Sequence, residues 1–261
     1  LKGRPLVGVI GSVGVRRDAK AVKLLAAILA KHEAGPDVTS AAVRALGSIG
    51  NEAAAETLQT ALAHAPRESQ LPIAEGMFRC AELLAAEGKT DIAVDIYDEL
   101  LEKGIPHQVR GGALRGAILA RGADGIELLQ KNLRSDDYIL FSAAAQTALE
   151  MPGADVTEAL TAELGNLPAD NQILVLWTLG QRIYPRQRRS ICPLARRGSK
   201  AVRMEAIRVM PRFQDGAAVP ELVKFMDDSD NDIAKAAQES LAAIPGRRAD
   251  SAVVAMLKSS D

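Results

Sequence analysis

A chain of 261 residues that is 48% apolar but only 3% aromatic must build its interior from Ala, Leu, Val and Ile. That choice suits closely packed helices, because Ala costs no side-chain entropy and Leu little, and it argues against strand-rich sandwiches and barrels. A net charge of −1 gives no overall bias toward an acidic or basic partner, and charge-free runs such as 138–149, about a dozen residues, are too short to span a bilayer.

The chain opens on LKGRPLVGVIGSVG, which lacks the shape of a signal peptide. Its start on Leu1 suggests a processed chain or a fragment. Gly8, Gly11 and Gly14 are evenly spaced, but no strand precedes them, so they read as a glycine-loosened first repeat rather than a dinucleotide loop. From there one pattern recurs: an aliphatic residue a few positions before a turn. The series runs Ile10, Leu46, Leu84, Ile118, Leu149, Leu179, Met210 and Leu241, at intervals of 36, 38, 34, 31, 30, 31 and 31 residues.

Each occurrence predicts a pair of helices. Ala42, Ala45, Leu46 and Ile49 share one helical face. Gly50 follows, suited to the left-handed end of a helix, and Asn51 offers an oxygen to the free N–H groups of the next one. Asp18, Asp124, Asp155 and Asp215 stand near the same place in other repeats. EAAAETLQTAL then closes the repeat with Leu58 and Leu62 inward. The acidic links RSDD at 134–137 and DDSDND at 227–232 suit the start of a following helix. Neither helix of a pair can bury its apolar face alone, so neighbouring repeats must supply the cover.

Two repeats depart from the pattern. The third, 67–106, is longer, with Ala93, Ile96, Leu100 and Leu101 on one face, and its Gly88…Ala93…Tyr97 spacing resembles a tetratricopeptide helix pair. The sixth, 172–199, carries RIYPRQRRSICP where a glycine turn is expected, and Pro185 and Pro193 predict an interrupted helix.

VRALGSIGNEAAAETL and AVRMEAIRVMPRFQDGAAVPELVKFM resemble HEAT repeats of the bacterial type also called PBS-lyase-like repeats. The resemblance covers nearly the whole chain, and it is similar in particular to long arrays in large planctomycete and verrucomicrobial proteins. It implies an all-α fold, an α-solenoid (alpha-alpha superhelix) of about eight helix pairs over 1–261, within a longer, often exported bacterial protein. The outer ends of the array, glycine-rich at 1–14 and apolar in VVAMLKSSD, lead to the expectation that more repeats or another domain adjoin at least one end.

Chemistry-bearing motifs are sparse. There is no paired-histidine helix motif, no C-x-x-C, no phosphate loop and no G-x-S-x-G. His32 and His64 close consecutive repeats, but a third metal ligand is missing, and His107 reads as linker. Cys80 and Cys192, three repeats apart, are expected to be free thiols. Asp91, Asp95, Asp98, Glu99 and Glu102 fit the polar face of one helix. No catalytic residue, cofactor or metal is expected.

What remains is a surface for a partner. Between 182 and 212 stand Arg182, Arg186, Arg188, Arg189, Arg196, Arg197, Lys200, Arg203, Arg208 and Arg212, with Glu205 the one acid among them. These cations either form a binding face for an acidic protein, polysaccharide or nucleic acid, or pair with acids of adjoining repeats such as Asp215, Asp227 and Asp228. Trp177 stands two before its anchor, in a column that otherwise holds Gly8, Arg44, Glu82, Gly116, Thr147, Arg208 and Glu239. A column that accepts Arg and Glu faces solvent, so Trp177 is a candidate hot spot beside Arg208; the alternative folds it back over the 182–189 link against Tyr184. The leading function is a protein-interaction scaffold or a structural array that holds flanking domains. Polyanion binding through 182–212 is the alternative, and the HEAT resemblance admits a more remote one, a lyase or DNA glycosylase.

Overall fold

The computed structural model describes residues 3–30, 35–102, 104–182, 188–213, 218–244, 250–251 and 254. Among them the regular structure is helical throughout, with fifteen α-helices and short 3₁₀ turns. The chain forms two compact units. The N-terminal unit holds Leu1–Leu128 with Asp137–Ala143, and the C-terminal unit holds Leu129–Asp136 with Ala144–Asp261.

The N-terminal unit contains α1 (Arg4–Val15), α2 (Val22–Ala30), α3 (Pro36–Ile49), α4 (Glu52–His64), α5 (Arg67–Ala86), α6 (Thr90–Leu100) and α7 (His107–Ala120). It also takes the first turns of α8 (Gly125–Leu133) and α9 (Tyr138–Thr147). Helices α1, α3, α5 and α7 pack in sequence as one layer, and α2, α4 and α6 cover them as a second. The turn between α3 and α4 forms as its residues dictate. Gly50 adopts φ 63° and donates its N–H to the Leu46 carbonyl, while the Asn51 side chain accepts the Ala54 N–H at 2.9 Å. Leu46, Leu58 and Leu84 are then fully buried, each worth about 1.5–3 kcal/mol.

The C-terminal unit contains the ends of α8 and α9, then α10 (Ala154–Leu164), α11 (Ala169–Gln181), α12 (Arg188–Arg197), α13 (Lys200–Val209), α14 (Val219–Met226) and α15 (Asn231–Ala242). Here α11, α13 and α15 stack, with α10 against α11, α12 against α13 and α14 against α15. The acidic links behave as expected of them. Asp230 accepts the Asp232 N–H at 3.0 Å, at the start of α15.

Several sequence expectations need correction. Leu149 lies beyond the end of α9 and is 38% exposed, and Ala148 is buried in its place. In the preceding repeat the anchor Ile118 is fully buried, as is Ala117 beside it, while Arg115 is exposed and Gly116 is buried. Counted through Ala117 and Ala148, the spacing from Leu84 is 33 residues and then 31 at every step to Leu241. A helix turns about 100° per residue, so two adjacent apolar residues both fit the pattern and only packing chooses between them. Asp155 does not cap α10, whose N-cap is Gly153, and Asp124 closes a 3₁₀ turn instead. Asp215 lies outside the described residues. Gly8 and Gly11 sit inside an ordinary helix, α1.

Candidate interaction surface

Helix α11 carries Trp177 on its solvent side at 45% exposure, while Val175, Leu176, Thr178 and Leu179 around it are buried. Leu176 and Leu179 turn inward, and Trp177 between them points to solvent. Ile173 and Leu174, one turn earlier, are half-buried. On α13 the equivalent positions hold half-buried Met204 and Glu205 and exposed Arg208, with exposed Arg212 beyond them. The two helices approach closely, because a Cβ on Gly180 would lie 3.1 Å from Val209 Cγ2. An apolar strip on α11 thus runs beside a cationic one on α13. Ile173, Leu174 and Met204 went unremarked in the sequence because helical periodicity alone marks them as core.

Counted through Ala117 and Ala148, the column two before each anchor reads Gly8, Arg44, Glu82, Arg115, Gln146, Trp177, Arg208 and Glu239, and all eight are exposed. Trp177 is the one large apolar side chain in it. Tyr184 lies outside the described residues.

The basic run is not an open cationic face. Arg182 is 8% exposed and belongs to the interior. Its guanidinium donates to the carbonyls of Ala148, Met151 (2.7 Å) and Gly153 (2.8 Å) and to Thr157 Oγ1 (3.0 Å), tying the end of α9 to the start of α10. It is therefore unavailable to a partner. Arg196 pairs with Glu221 at 2.6 Å, and Lys200 with Asp230 and Asp232 at 2.9 and 2.6 Å. Arg203 pairs with Asp228 and also donates to the Ala195 carbonyl. Arg208 has Glu205 at 3.7 Å. Arg189, Arg197 and Arg212 are exposed, with no ion pair among the described residues. Arg186 and the side chain of Arg188 lie outside them.

The electrostatics follow the same pairing. The hydrogen bonds that Lys200 donates to Asp232 and Asp230 hold its ammonium above its ordinary range, and the bond Arg196 donates to Glu221 does the same for its guanidinium. The N–H of Asp230, then Arg203, hold the Asp228 carboxyl below its ordinary range. In the same unit Glu163, almost fully buried, accepts a two-pronged bond from Arg134 that lowers its carboxyl.

In the N-terminal unit a hollow of about 370 Å³ lies between α5, α6 and α7, lined by Glu82, Thr90, Tyr97, Arg115, Gly116 and Leu119 among others. The Tyr97 hydroxyl donates to Glu82 Oε1 at 2.6 Å, and burial followed by that carboxylate raises the phenol. The hydroxyl stays protonated and engaged, an arrangement for hydrogen bonding rather than proton transfer. The tyrosine ring occupies the space a Cβ on Gly116 would need, and Phe78 does the same at Gly112. The glycines four apart on α7 were the available sequence signal for this hollow.

Cys80 is buried, and desolvation pushes its thiol up to about 12, so it acts as a small hydrophobe whose Sγ donates to the Leu46 carbonyl at 3.7 Å. Cys192 is half-buried and also free of a disulfide. His64 is exposed, with Nδ1 3.0 Å from the Thr60 carbonyl, and His32 lies outside the described residues. No group of three or more His, Cys, Asp or Glu able to hold a metal ion occurs among the described residues. No helix there is long and apolar enough to cross a membrane.

Helix pairs repeated at a near-constant interval, packed layer on layer within each unit, define an all-α solenoid repeat protein. The family model for HEAT repeats matches residues 7–72 and 188–261, more than half of the chain, and the chain belongs to the HEAT-repeat family. Among solved structures it is similar to human deoxyhypusine hydroxylase in complex with glycerol, at 18% identity and TM-score 0.43, over 92% of this chain and 78% of that one. It is also similar to an engineered protein, at 20% identity and TM-score 0.45, over 92% and 72% of the two chains. No curated protein matches it.

Proposed function

We propose that the chain is a non-catalytic scaffold that docks a protein partner on the outer face of α11 and α13. The observation that carries this reading is Trp177, a large apolar side chain exposed in a column otherwise occupied by polar residues and glycine. Exposed Trp beside Arg is the composition of binding hot spots, and repeat arrays supply long surfaces without any catalytic group. The interior of the repeats also supports it, because Arg182, Glu163 and Arg203 are all engaged in holding helices together. The polyanion reading is weakened, since four of the ten cations at 182–212 are buried or closely paired with carboxylates.

The test is site-specific photocrosslinking. A photoreactive residue is placed at 177 and, as a control, at Lys235, which is exposed on α15, and each protein is incubated with native extract. The reading expects discrete crosslinked proteins at 177 and none of these at 235, with affinity for the purified partner falling at least tenfold in Trp177→Ala. Equal crosslinking at both positions, or an affinity indifferent to Trp177, would overturn it.

A further inference from the structure

Resting on that docking face, we infer the chemistry of its partner: a short amphipathic segment that seats an apolar side chain against Trp177 and sets acidic residues over α13. The apolar half of the face is Ile173 and Leu174 with Trp177 one turn further along α11, and on the adjacent α13 Met204 holds the position equivalent to Ile173. A side chain that covers Trp177 removes apolar surface from water on both partners, and that burial is the main source of affinity. The other half is Arg208, one turn beyond Met204, and Arg212, one turn beyond Arg208. Both are exposed. Arg208 is only loosely engaged by Glu205, whose nearest oxygen is 3.7 Å away, whereas Arg196–Glu221 and Lys200–Asp230 close to 2.6 and 2.9 Å.

Charge sets the sign of the partner. Close, two-pronged ion pairs such as Arg134–Glu163 leave little charge to offer, but Arg208 and Arg212 retain theirs beside the tryptophan. An acidic residue next to the apolar anchor gains a charge-assisted contact there, and a basic residue meets two guanidinium groups. The neighbouring repeat lacks this pairing, because the equivalent residue on α15 is the exposed acid Glu239. The face therefore selects for sign as well as for apolar content. A nucleic acid fits less well. Stacking platforms for bases come in series along a strand, and Trp177 is the single tryptophan of the chain.

Trp177 is itself the reporter. A displayed library of random twelve-residue peptides is selected on the full 261-residue protein, with sequences that also bind Trp177→Ala discarded. Selected peptides are expected to combine an aromatic or large aliphatic residue with Asp or Glu within one helical turn. Each should shift the tryptophan emission to the blue and bind Arg208→Glu at least tenfold more weakly. Trp177→Ala keeps its fold because the side chain is exposed, which circular dichroism checks. Tryptophan-dependent peptides with no acidic enrichment, or with unchanged affinity for Arg208→Glu, would overturn this inference and leave the docking face standing. No tryptophan-dependent binder at all would overturn both. A mixed-sequence single-stranded oligonucleotide that competes for the same tryptophan shift would also sink the proteinaceous partner.

Discussion

The two units hold their helices together by different means. In the N-terminal unit close approach is set by shape. A Cβ on Gly14 would lie 2.8 Å from the Ala45 backbone, one on Gly47 2.9 Å from that of Gly76, and one on Gly116 2.3 Å from the Tyr97 ring. In the C-terminal unit the interior includes polar groups: among the described residues, the buried polar and charged side chains Asn132, Thr147, Thr157, Glu163, Thr178, Arg182 and Ser240 all belong to it. Glycine contacts are short-ranged and tolerate sliding along a helix, whereas a buried guanidinium with several fixed acceptors admits one register.

The contrast can be broken most sharply at Arg182. Arg182→Met should cost about 3 kcal/mol or more, because three carbonyls lose their donor in a buried site. Denaturant midpoints measure the loss, and amide exchange should locate it at the turn between α9 and α10. A loss under about 1 kcal/mol would mean that the polar interior of this unit is dispensable.

Gly116→Ala probes the other mode. The added methyl meets the Tyr97 ring and should cost about 1–3 kcal/mol. Tyr97→Leu, itself destabilising because it removes a buried ring and its bond to Glu82, should recover part of the Gly116→Ala loss in the double variant, with exchange rates altered along α5 to α7. Additive effects of the two substitutions would show that shape does not set the approach there.

Acid separates the units more gently. Arg134 holds the Glu163 carboxyl below its ordinary 4.5 in the folded state. A depressed folded value contributes stability that is present above the unfolded value and lost as pH falls through the folded one. The C-terminal unit should therefore weaken below about pH 4.5, and Glu163→Gln should flatten part of that decline in urea midpoints taken across the acid range. Asp228, lowered as well, supplies a remaining slope against which the change is read.

The smallest effect on stability is expected at the docking face. Trp177→Ala should cost only about 1 kcal/mol of stability, because nearly half of the ring faces solvent. A loss of several kcal/mol would place the ring in the core and remove the reason for assigning a surface to it.

How much of this was legible varies with the reach of the interaction. The αL glycine at 50 and the capping Asn51 act within four residues, so the turn they make could be read directly. The exposure of Trp177 could be read because Arg44, Glu82 and Arg208 stand in its column. The fate of the basic run could not. Arg196 finds Glu221 and Arg203 finds Asp228, each 25 residues along the chain, and nothing local distinguishes those arginines from Arg189 or Arg197. Arg182 reads as one more surface cation until the carbonyls at the end of α9 are seen to converge on it.

Composition and period by themselves determined that this chain is a series of helix pairs with aliphatic inner faces, because propensity and the turn of a helix are properties of neighbouring residues. Packing alone decided that Ala148 rather than Leu149 turns inward, and that Arg182 lies inside while Arg208 lies outside. Those outcomes depend on which groups another helix brings within a few ångströms, and the order of residues along one chain does not state that distance.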